Sequence, residues 1–239
     1  MKRDIPAQIE FQRNYYKNTA GQYDEAHVNV KDEHYLAASL MIAAIDFFGI
    51  CSILDIGSGT GRIVSLIKEK RPGIHIVGIE PVAELREVGY RGGLSTSELV
   101  SGDALALQFA DEEFDLVCEF GVLHHINAPK LVISEMLRVS KMAIFISDSN
   151  NFGQGSLAIR KLKQIINNIG LWKLADLIKT KGRGFSISEG DGLAYSYSVF
   201  NDYKQIEAQC GNIHLMNTMG NGVNIYKNAS HIALLGVKK

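Results

Sequence analysis

Features that mark whole classes of protein are missing from this sequence. Its cysteines, Cys51, Cys118 and Cys210, are only three, scattered and odd in number. This argues against a disulfide framework or a metal knuckle and favours a reducing cytoplasm. Residues 1–20 lack the apolar stretch of a signal peptide, and the apolar run 35–45 is too short to span a bilayer. We therefore expect a cytoplasmic protein without a transmembrane segment.

An excess of charge of either sign is also missing, because 25 basic residues stand against 26 acidic ones and the formal net charge is −1. This balance gives no global electrostatic reason to expect a nucleic acid partner. The 239 residues are 46% hydrophobic and 21% charged, which is typical of a packed globular protein with a sizeable core. We expect residues 1–239 to form a single domain, and the oligomeric state stays open.

Three glycines alternate with small hydroxylated residues within the stretch 53–62, directly after an apolar segment. Glycine tolerates positive φ and has no Cβ, so such a loop turns sharply and lets backbone amides approach a flat or charged ligand. A dinucleotide fingerprint needs its third glycine at the sixth place counted from Gly57. That place holds Arg62, so the loop departs from the dinucleotide pattern.

Apolar strands alternate with amphipathic helices between residues 34 and 149, which predicts a mainly parallel sheet covered by helices on both sides. The loop between the last two strands is too short for a crossover, so these strands are expected to pair antiparallel. The result is a seven-stranded α/β sheet whose last strand is reversed. The predicted strands are 53–56, 75–80, 99–103, 114–120, 142–147, 212–219 and 231–237.

Acidic residues end the first three predicted strands, namely Asp55, Glu80 and Asp103. In an open α/β sheet, ligands bind beyond the carboxyl ends of the strands. Any one of these acids alone is more simply a helix cap or a solvated turn. Three of them at successive strand ends indicate a shared ligand site.

The arrangement resembles a known enzyme family over roughly residues 34–149. The Asp-x-Gly-x-Gly-x-Gly pattern from Asp55 to Gly61 and the segment 114–126 are similar to signatures of class I S-adenosylmethionine-dependent methyltransferases. The second signature resembles the branch that contains ubiquinone-biosynthesis and small-molecule methyltransferases. The resemblance implies a Rossmann-like, doubly wound sheet, S-adenosylmethionine as cofactor and S-adenosylhomocysteine as product.

The resemblance also implies roles for individual residues. Glu80 would accept hydrogen bonds from both ribose hydroxyls, and Asp103, with the amide of Ala104, would bind the adenine. Asp55 and the carbonyl of Phe120 would face the cationic methionine portion. The full set of expected cofactor contacts is Tyr16, Tyr23, Asp55, Gly57, Ser58, Gly59, Gly61, Glu80, Pro81, Asp103, Ala104 and Phe120.

The expected reaction is methyl transfer to a small molecule, most simply to an oxygen, with nitrogen and carbon open. A base is needed only where the nucleophile begins protonated, and histidine suits this because its pKa lies near neutrality. Position favours His124 and His125, just past the fourth strand. The candidates are His124, His125, His34, His27 and His231. No metal is expected, because Glu119 is the one acid at the end of the fourth strand and the adjacent histidine pair lacks the spacing of metal ligands.

Two segments lie outside the alternating pattern. Residues 1–33 are predicted as an N-terminal cap of short helices or turns. Residues 150–197 are predicted as a helical insertion, with helices at 157–168 and 171–180 and a flexible connector at 182–192.

The insertion carries seven basic residues against one acid between positions 151 and 185. We expect it to form a lid that admits an acidic or phosphorylated small molecule, or to touch an anionic membrane surface that presents a lipid-like substrate. The alternative is a solvated basic helix face whose apolar side packs on the domain.

Three other functions stay open. A nicotinamide-dependent oxidoreductase would use a similar loop, although Arg62 counts against it. A tRNA-modifying methyltransferase belongs to the same enzyme class, but the near-zero net charge makes it weaker. A non-catalytic cofactor-binding protein would bind the cofactor without turnover.

Overall fold

The structure, a computed structural model, describes residues 4–27 and 31–239, without the side chains of residues 26 and 27. The expected base candidate His27 therefore has a side chain outside the described part. Most of the chain forms alternating strands and helices. The strands are β1 Ser52–Ile56, β2 His75–Ile79, β3 Leu99–Val100, β4 Phe114–Phe120, β5 Ser140–Ser149, β6 Phe185–Ser188, β7 Gly192–Tyr195, β8 Cys210–Gly220 and β9 Ala229–Lys238.

Seven of these strands form one sheet in the order β3, β2, β1, β4, β5, β9, β8. The strands β1 to β5 are parallel, and β9 lies antiparallel to both β5 and β8. The predicted seven-stranded sheet with its last strand reversed is therefore confirmed. Because the parallel strands all end at one edge, Asp55 in β1, Glu80 directly after β2 and Asp103 three residues after β3 lie on that side of the sheet. We call this edge, at the carboxyl ends of β1 to β5, the strand-end edge.

Helices cover both faces of the sheet, and two buried apolar clusters fill the space between helices and strands. The helices are α1 Ile5–Thr19, α2 Tyr23–His27, α3 Glu33–Phe48, α4 Arg62–Lys70, α5 Ala83–Arg91, α6 Pro129–Val139, α7 Leu157–Asn168, α8 Trp172–Lys179, α9 Tyr203–Gln209 and α10 Ile225–Asn228. Among the described residues, no helix combines the length and the apolar character needed to cross a bilayer.

The boundaries of α3 illustrate how local chemistry sets a helix. The Asp32 carboxylate accepts a hydrogen bond from the Tyr35 amide at 2.6 Å, which satisfies a free donor at the helix start. Gly49 ends the helix in the left-handed region with φ of 67°, where glycine is favoured. The predicted end at Gly49 is confirmed.

Two expectations outside the sheet were wrong. The N-terminal cap contains a regular fifteen-residue helix, α1, which begins at the capping residue Asp4. The segment 182–192, expected as a flexible connector, instead carries β6 and the turn that leads into β7. This hairpin is fixed by two buried apolar side chains, Phe185 and Leu193. Its pairing depends on contacts with distant parts of the chain, which a local pattern does not contain.

Candidate functional site

The glycine loop between β1 and α4 lies at the strand-end edge. Gly57, Gly59 and Gly61 all have positive φ, as such a turn requires. A Cβ on Gly57 would approach Val122 to 2.5 Å, and one on Gly61 would approach Leu94 to 2.1 Å. The glycines are thus needed for packing within the protein as well as for the turn.

Asp55, at the end of β1, is almost fully buried beneath this loop. Its Oδ1 lies 3.7 Å from the Cys118 thiol, whereas its Oδ2 has no hydrogen-bond partner. Burial raises the pKa of Asp55 to about 7. The neighbouring Ser58 is occupied internally, because its hydroxyl donates to the backbone carbonyl of Asp55 at 2.9 Å.

Glu80 follows β2 and is also buried. Its carboxylate accepts hydrogen bonds from the backbone amides of Gly59, at 3.1 Å, and Val82, at 2.8 Å. Burial raises the pKa of Glu80 to about 7. The side chain thus joins the glycine loop to the start of α5 and presents a carboxylate at the strand-end edge.

A cavity of about 370 Å³ opens beside these residues. Apolar side chains of Ile79, Val82 and Leu85 form part of its wall. The expected cofactor residues that line this larger cavity are Tyr16, Tyr23, Gly57, Gly59, Glu80, Pro81, Asp103, Ala104 and Phe120.

A smaller cavity of about 120 Å³ adjoins it and shares Tyr16, Tyr23, Gly57 and Phe120 with the larger one. Asp55 and Ser58 line the smaller cavity, whereas Gly61 lines neither of the two. Of the five histidines named as candidate bases, His34, His124 and His125 line the smaller cavity, whereas His231 lines neither of the two.

The helix α1 covers the larger cavity, and sequence reasoning named its Tyr16 but missed Gln12 and Arg13. Arg13 forms an ion pair of 2.8 Å with Asp103. The amide nitrogen of Gln12 lies 3.2 Å from Nδ1 of His125, and the hydroxyl of Tyr16 lies 3.0 Å from Nε2 of the same ring. The spacing of Gln8, Gln12 and Tyr16 by four residues, one helical face, is the signal that identifies this surface.

His124 is held between two carboxylates. Its Nδ1 lies 2.8 Å from the fully buried Asp148, and its Nε2 lies 3.4 Å from Asp191 in the β6–β7 turn. Burial favours the neutral ring, but the charges and hydrogen bonds of Asp148 and Asp191 outweigh it and raise the pKa of His124 to about 10. At neutral pH this ring is an imidazolium without a free lone pair, which suits a base poorly.

His125 is also engaged by several partners. Its Nδ1 lies 2.6 Å from the carbonyl of Leu193, and its Nε2 lies 3.2 Å from Asp191 as well as near Tyr16. The histidine pair therefore fastens the β6–β7 turn to the end of β4. Asp191 is a second residue that sequence reasoning missed, because it follows β4 by some seventy positions and carries no local motif.

His34, at the start of α3, has a different environment. Its Nδ1 lies 3.1 Å from the Ser147 hydroxyl, and burial lowers the pKa of the ring, so that it is neutral at pH 7. A Cβ built on Gly121 would lie 3.1 Å from Nε2 of His34. The His231 ring packs edge to face against it at 4.6 Å.

Two groups of potential metal ligands occur in the described part of the chain. One comprises Glu33, His34 and His231, and the other comprises His124, His125 and Asp191. In the second group, hydrogen bonds within the protein already occupy the ring nitrogens. The expectation that no metal is used stays a prediction.

A third, polar cavity of about 220 Å³ lies between the insertion and the strand-end edge. His124 and Asp191 line it on the side of the site, and Lys179 and Thr180 line it next to α8. It therefore links the histidines to the insertion.

Comparison with known proteins shows which proteins this geometry is similar to. Residues 54–143 match the methyltransferase domain family. The match covers 90 of the 239 residues and runs from β1 into β5. The strand order and the reversed final strand agree with the sheet that the resemblance implied.

Relatives in sequence match only part of the chain. The chain is 36% identical over 89 residues to a demethylmenaquinone methyltransferase of Renibacterium salmoninarum, covering 37% of this chain and 36% of that protein. It is 30% identical over 89 residues to the protein of the same name from Thermotoga maritima, covering 37% and 38%. The chain thus aligns with little more than a third of each relative's length.

Solved structures match over nearly the whole chain. A methyltransferase of Thermotoga maritima, described as a possible histamine N-methyltransferase, has a TM-score of 0.60 at 14% identity and covers 95% of this chain and 99% of that one. The complex of DhpI with S-adenosylhomocysteine has a TM-score of 0.60 at 15% identity and covers 95% of each chain. At these identities the likeness concerns the fold alone.

Proposed function

We propose that the protein is an S-adenosylmethionine-dependent methyltransferase that acts on a small molecule. The observation that carries the proposal is the meeting of Asp55, Glu80 and Asp103 at the strand-end edge, around cavities of about 370 and 120 Å³. Buried carboxylates are costly unless they bind a partner, and Asp55 keeps one buried oxygen without one. We also propose that the N-terminal cap and the insertion belong to the same domain, because both contact His125.

The residues present fit the cofactor. Glu80 would bind the ribose hydroxyls with its carboxylate, Asp103 and Ala104 would bind the adenine, and Pro81 would add apolar wall. The smaller cavity is surrounded by Asp55, Phe120 and two tyrosines of the N-terminal cap, Tyr16 and Tyr23. This cavity suits the methionine portion. When bound, S-adenosylmethionine supplies an electrophilic methyl group on a sulfonium. The covering helix α1 excludes water from this space, and the protein's main task is to hold the acceptor in line.

We propose His34 as the base for an acceptor whose nucleophile is a hydroxyl. It is neutral at pH 7, whereas His124 is an imidazolium. The Ser147 hydroxyl holds its Nδ1, which leaves Nε2 to take a proton at the smaller cavity. His124 and His125 instead position the β6–β7 turn.

We propose that the reacting hydroxyl of the acceptor enters the smaller cavity beside His34 and that the rest of the acceptor occupies the polar cavity, because His124 and Asp191 line both cavities. The polar cavity is also lined by polar residues such as Ser149, Gln154 and Ser186. An oxygen acceptor is the simplest choice, and demethylmenaquinone, the compound in the names of the sequence relatives, is one molecule to assay. An acidic group on the acceptor would face Lys179 and the protonated His124.

Calorimetric titration tests the cofactor assignment without any need for the acceptor. We expect the wild type to bind S-adenosylhomocysteine and not NAD, which also argues against the oxidoreductase alternative. Glu80→Ala should weaken this binding at least about tenfold, because charge-assisted hydrogen bonds are lost. Glu87→Ala, an exposed glutamate of α5, is the matched control. Unchanged affinity in Glu80→Ala, with its fold verified by circular dichroism, would refute the assignment.

Turnover distinguishes the remaining alternatives. Methyl transfer to a hydroxylated small molecule supports the proposal, whereas transfer only to tRNA would make the protein a tRNA-modifying enzyme. Tight cofactor binding without transfer to any acceptor would indicate a non-catalytic protein.

A further inference from the structure

The helix α7 packs on the protein body with its polar side. Its inward residues recur at spacings of three and four, which places them on one helical face. Gln164 is buried, and its side-chain amide donates to the carbonyls of Phe152, at 3.1 Å, and Lys227, at 3.2 Å. The inward residues are Arg160, Lys163, Gln164 and Asn167.

Lys163 and Asn167 also face the protein body and donate hydrogen bonds to it. Lys163 donates to the carbonyl and the side chain of Asn151, and burial lowers the pKa of its ammonium to about 8. Asn167 donates to the hydroxyl of Tyr226 at 2.9 Å. The apolar side of α7 therefore does not pack on the domain, and the alternative that assumed such packing is wrong.

The apolar side of α7 and that of α8 face outward instead. Of the sixteen large apolar side chains exposed in the described chain, nine lie between residues 157 and 178, with exposures of 46% to 71%. A concentration of exposed apolar side chains in one segment of the chain indicates a site of interaction. We call these nine side chains the outer apolar face: Leu157, Ile159, Leu162, Ile165, Ile169, Leu171, Leu174, Leu177 and Ile178.

Positive charge accompanies the outer apolar face. The exposed cations on or just after the two helices are Lys161, Lys173, Lys179, Lys181 and Arg183. The acid in this segment, Asp176, is partly buried. An apolar helix face with basic residues beside it is complementary to an anionic bilayer surface. Two copies of this surface packed together would bring like charges into contact, which disfavours a second copy as the occupant.

We propose that the outer apolar face binds an anionic membrane surface, with α7 and α8 lying in the interface plane. The aliphatic side chains then insert between lipid chains, and Lys161, Lys173, Lys181 and Arg183 contact headgroups. The polar cavity, which borders α8 at Lys179 and reaches His124, lies on the inner side of these helices. Membrane binding does not depend on methyl transfer, so it can be tested separately from the proposed function.

Vesicle co-sedimentation of the full chain tests this proposal. We expect binding to vesicles that contain phosphatidylglycerol and much weaker binding to pure phosphatidylcholine. The double variant Leu162→Ser, Ile165→Ser should bind about tenfold or more weakly, since it removes exposed apolar surface only. Leu36→Ser, another exposed aliphatic position, should bind as the wild type does.

A charge variant separates the two components of binding. Lys161→Gln with Lys173→Gln should lower binding to phosphatidylglycerol vesicles about tenfold or more, whereas Lys141→Gln with Lys204→Gln should change it little. Thermal unfolding verifies that each variant is folded. Equal binding to both vesicle types, or wild-type binding by the Leu162, Ile165 variant, overturns the proposal. A wild-type dimer that this variant dissociates overturns it too, in favour of a second copy.

Discussion

The strands beneath the strand-end edge bury their apolar side chains, whereas the helices α7 and α8 expose theirs. Beneath the edge, apolar side chains such as Leu54 and Ile146 are fully buried, and the acids gather where a ligand is expected. On α7, the buried side chain is Gln164, and Ile165 beside it is 58% exposed. The comparison shows that periodicity predicts a helix, whereas the environment of each face decides which side is covered.

Replacement of the proposed base, His34, should have the largest effect. It should affect the reaction at the strand-end edge and leave the helices α7 and α8 unchanged. We expect His34→Gln to lower kcat by about 10² to 10⁴ for a hydroxyl acceptor, with little change in KM. The acid limb of the kcat profile should disappear in the variant, which a structural role would not cause. His214→Gln, an exposed histidine of β8, is the control. A normal kcat and pH profile in His34→Gln would contradict the assignment.

Truncation of a large apolar side chain should lower the free energy of unfolding in the core beneath the strand-end edge but not on the outer apolar face. Ile146→Ala in β5 should lower the free energy of unfolding by about 2–5 kcal/mol, because it leaves a cavity in packed surroundings. Ile165→Ala in α7 should change it by less than about 0.5 kcal/mol, because the side chain is exposed. Urea unfolding measures both. A large loss in Ile165→Ala would mean that the outer apolar face is packed against the protein.

Loss of an inward polar contact of α7 should lower the free energy of unfolding by an intermediate amount. Gln164→Leu removes the donor to two carbonyls in buried surroundings, which should cost about 1–3 kcal/mol of unfolding free energy. The exposed Gln154→Leu is the matched control and should be nearly neutral. If Gln164→Leu raised stability, the inward face would prefer apolar side chains and the contrast with the sheet would fail.

The sequence predicts those features that depend on neighbours along the chain. The bounds of β4, the end of α3 at Gly49 and the acids at the strand ends follow from apolar runs and glycine positions. The hairpin of β6 and β7 is local in sequence, but contacts with distant residues hold it, such as the hydrogen bond that the Leu193 amide donates to the side-chain oxygen of Gln12. The contacts of Asp191 with the histidine pair also join residues far apart in the chain. No local pattern encodes these contacts.

The choice between His124 and His34 as the base is another feature that the sequence alone does not predict. Both are histidines near apolar segments, so sequence position alone favoured the pair after β4. Their protonation depends on Asp148 and Asp191, which reach His124 through the fold. The proposed assignment therefore depends on tertiary electrostatics.

The smallest effect that we expect is a pH dependence of the free energy of unfolding, caused by the proton that His124 holds. Its folded pKa of about 10 lies above the value of about 6.5 expected in the unfolded chain. The folded state thus holds a proton that the unfolded state releases, so this stabilisation is complete below pH 6.5 and declines as pH rises towards 10. Between pH 7 and 9 the free energy of unfolding should fall by up to about 1.4 kcal/mol for each pH unit.

His124→Gln should remove most of this slope, because the titrating group is gone. The ring can also be followed directly, since its nitrogen chemical shifts in NMR spectra should report an imidazolium at pH 8. A ring that titrates near pH 6.5 would show that Asp148 and Asp191 do not hold the proton. His124 would then again be available as a base, and the assignment to His34 would lose the electrostatic contrast on which it depends.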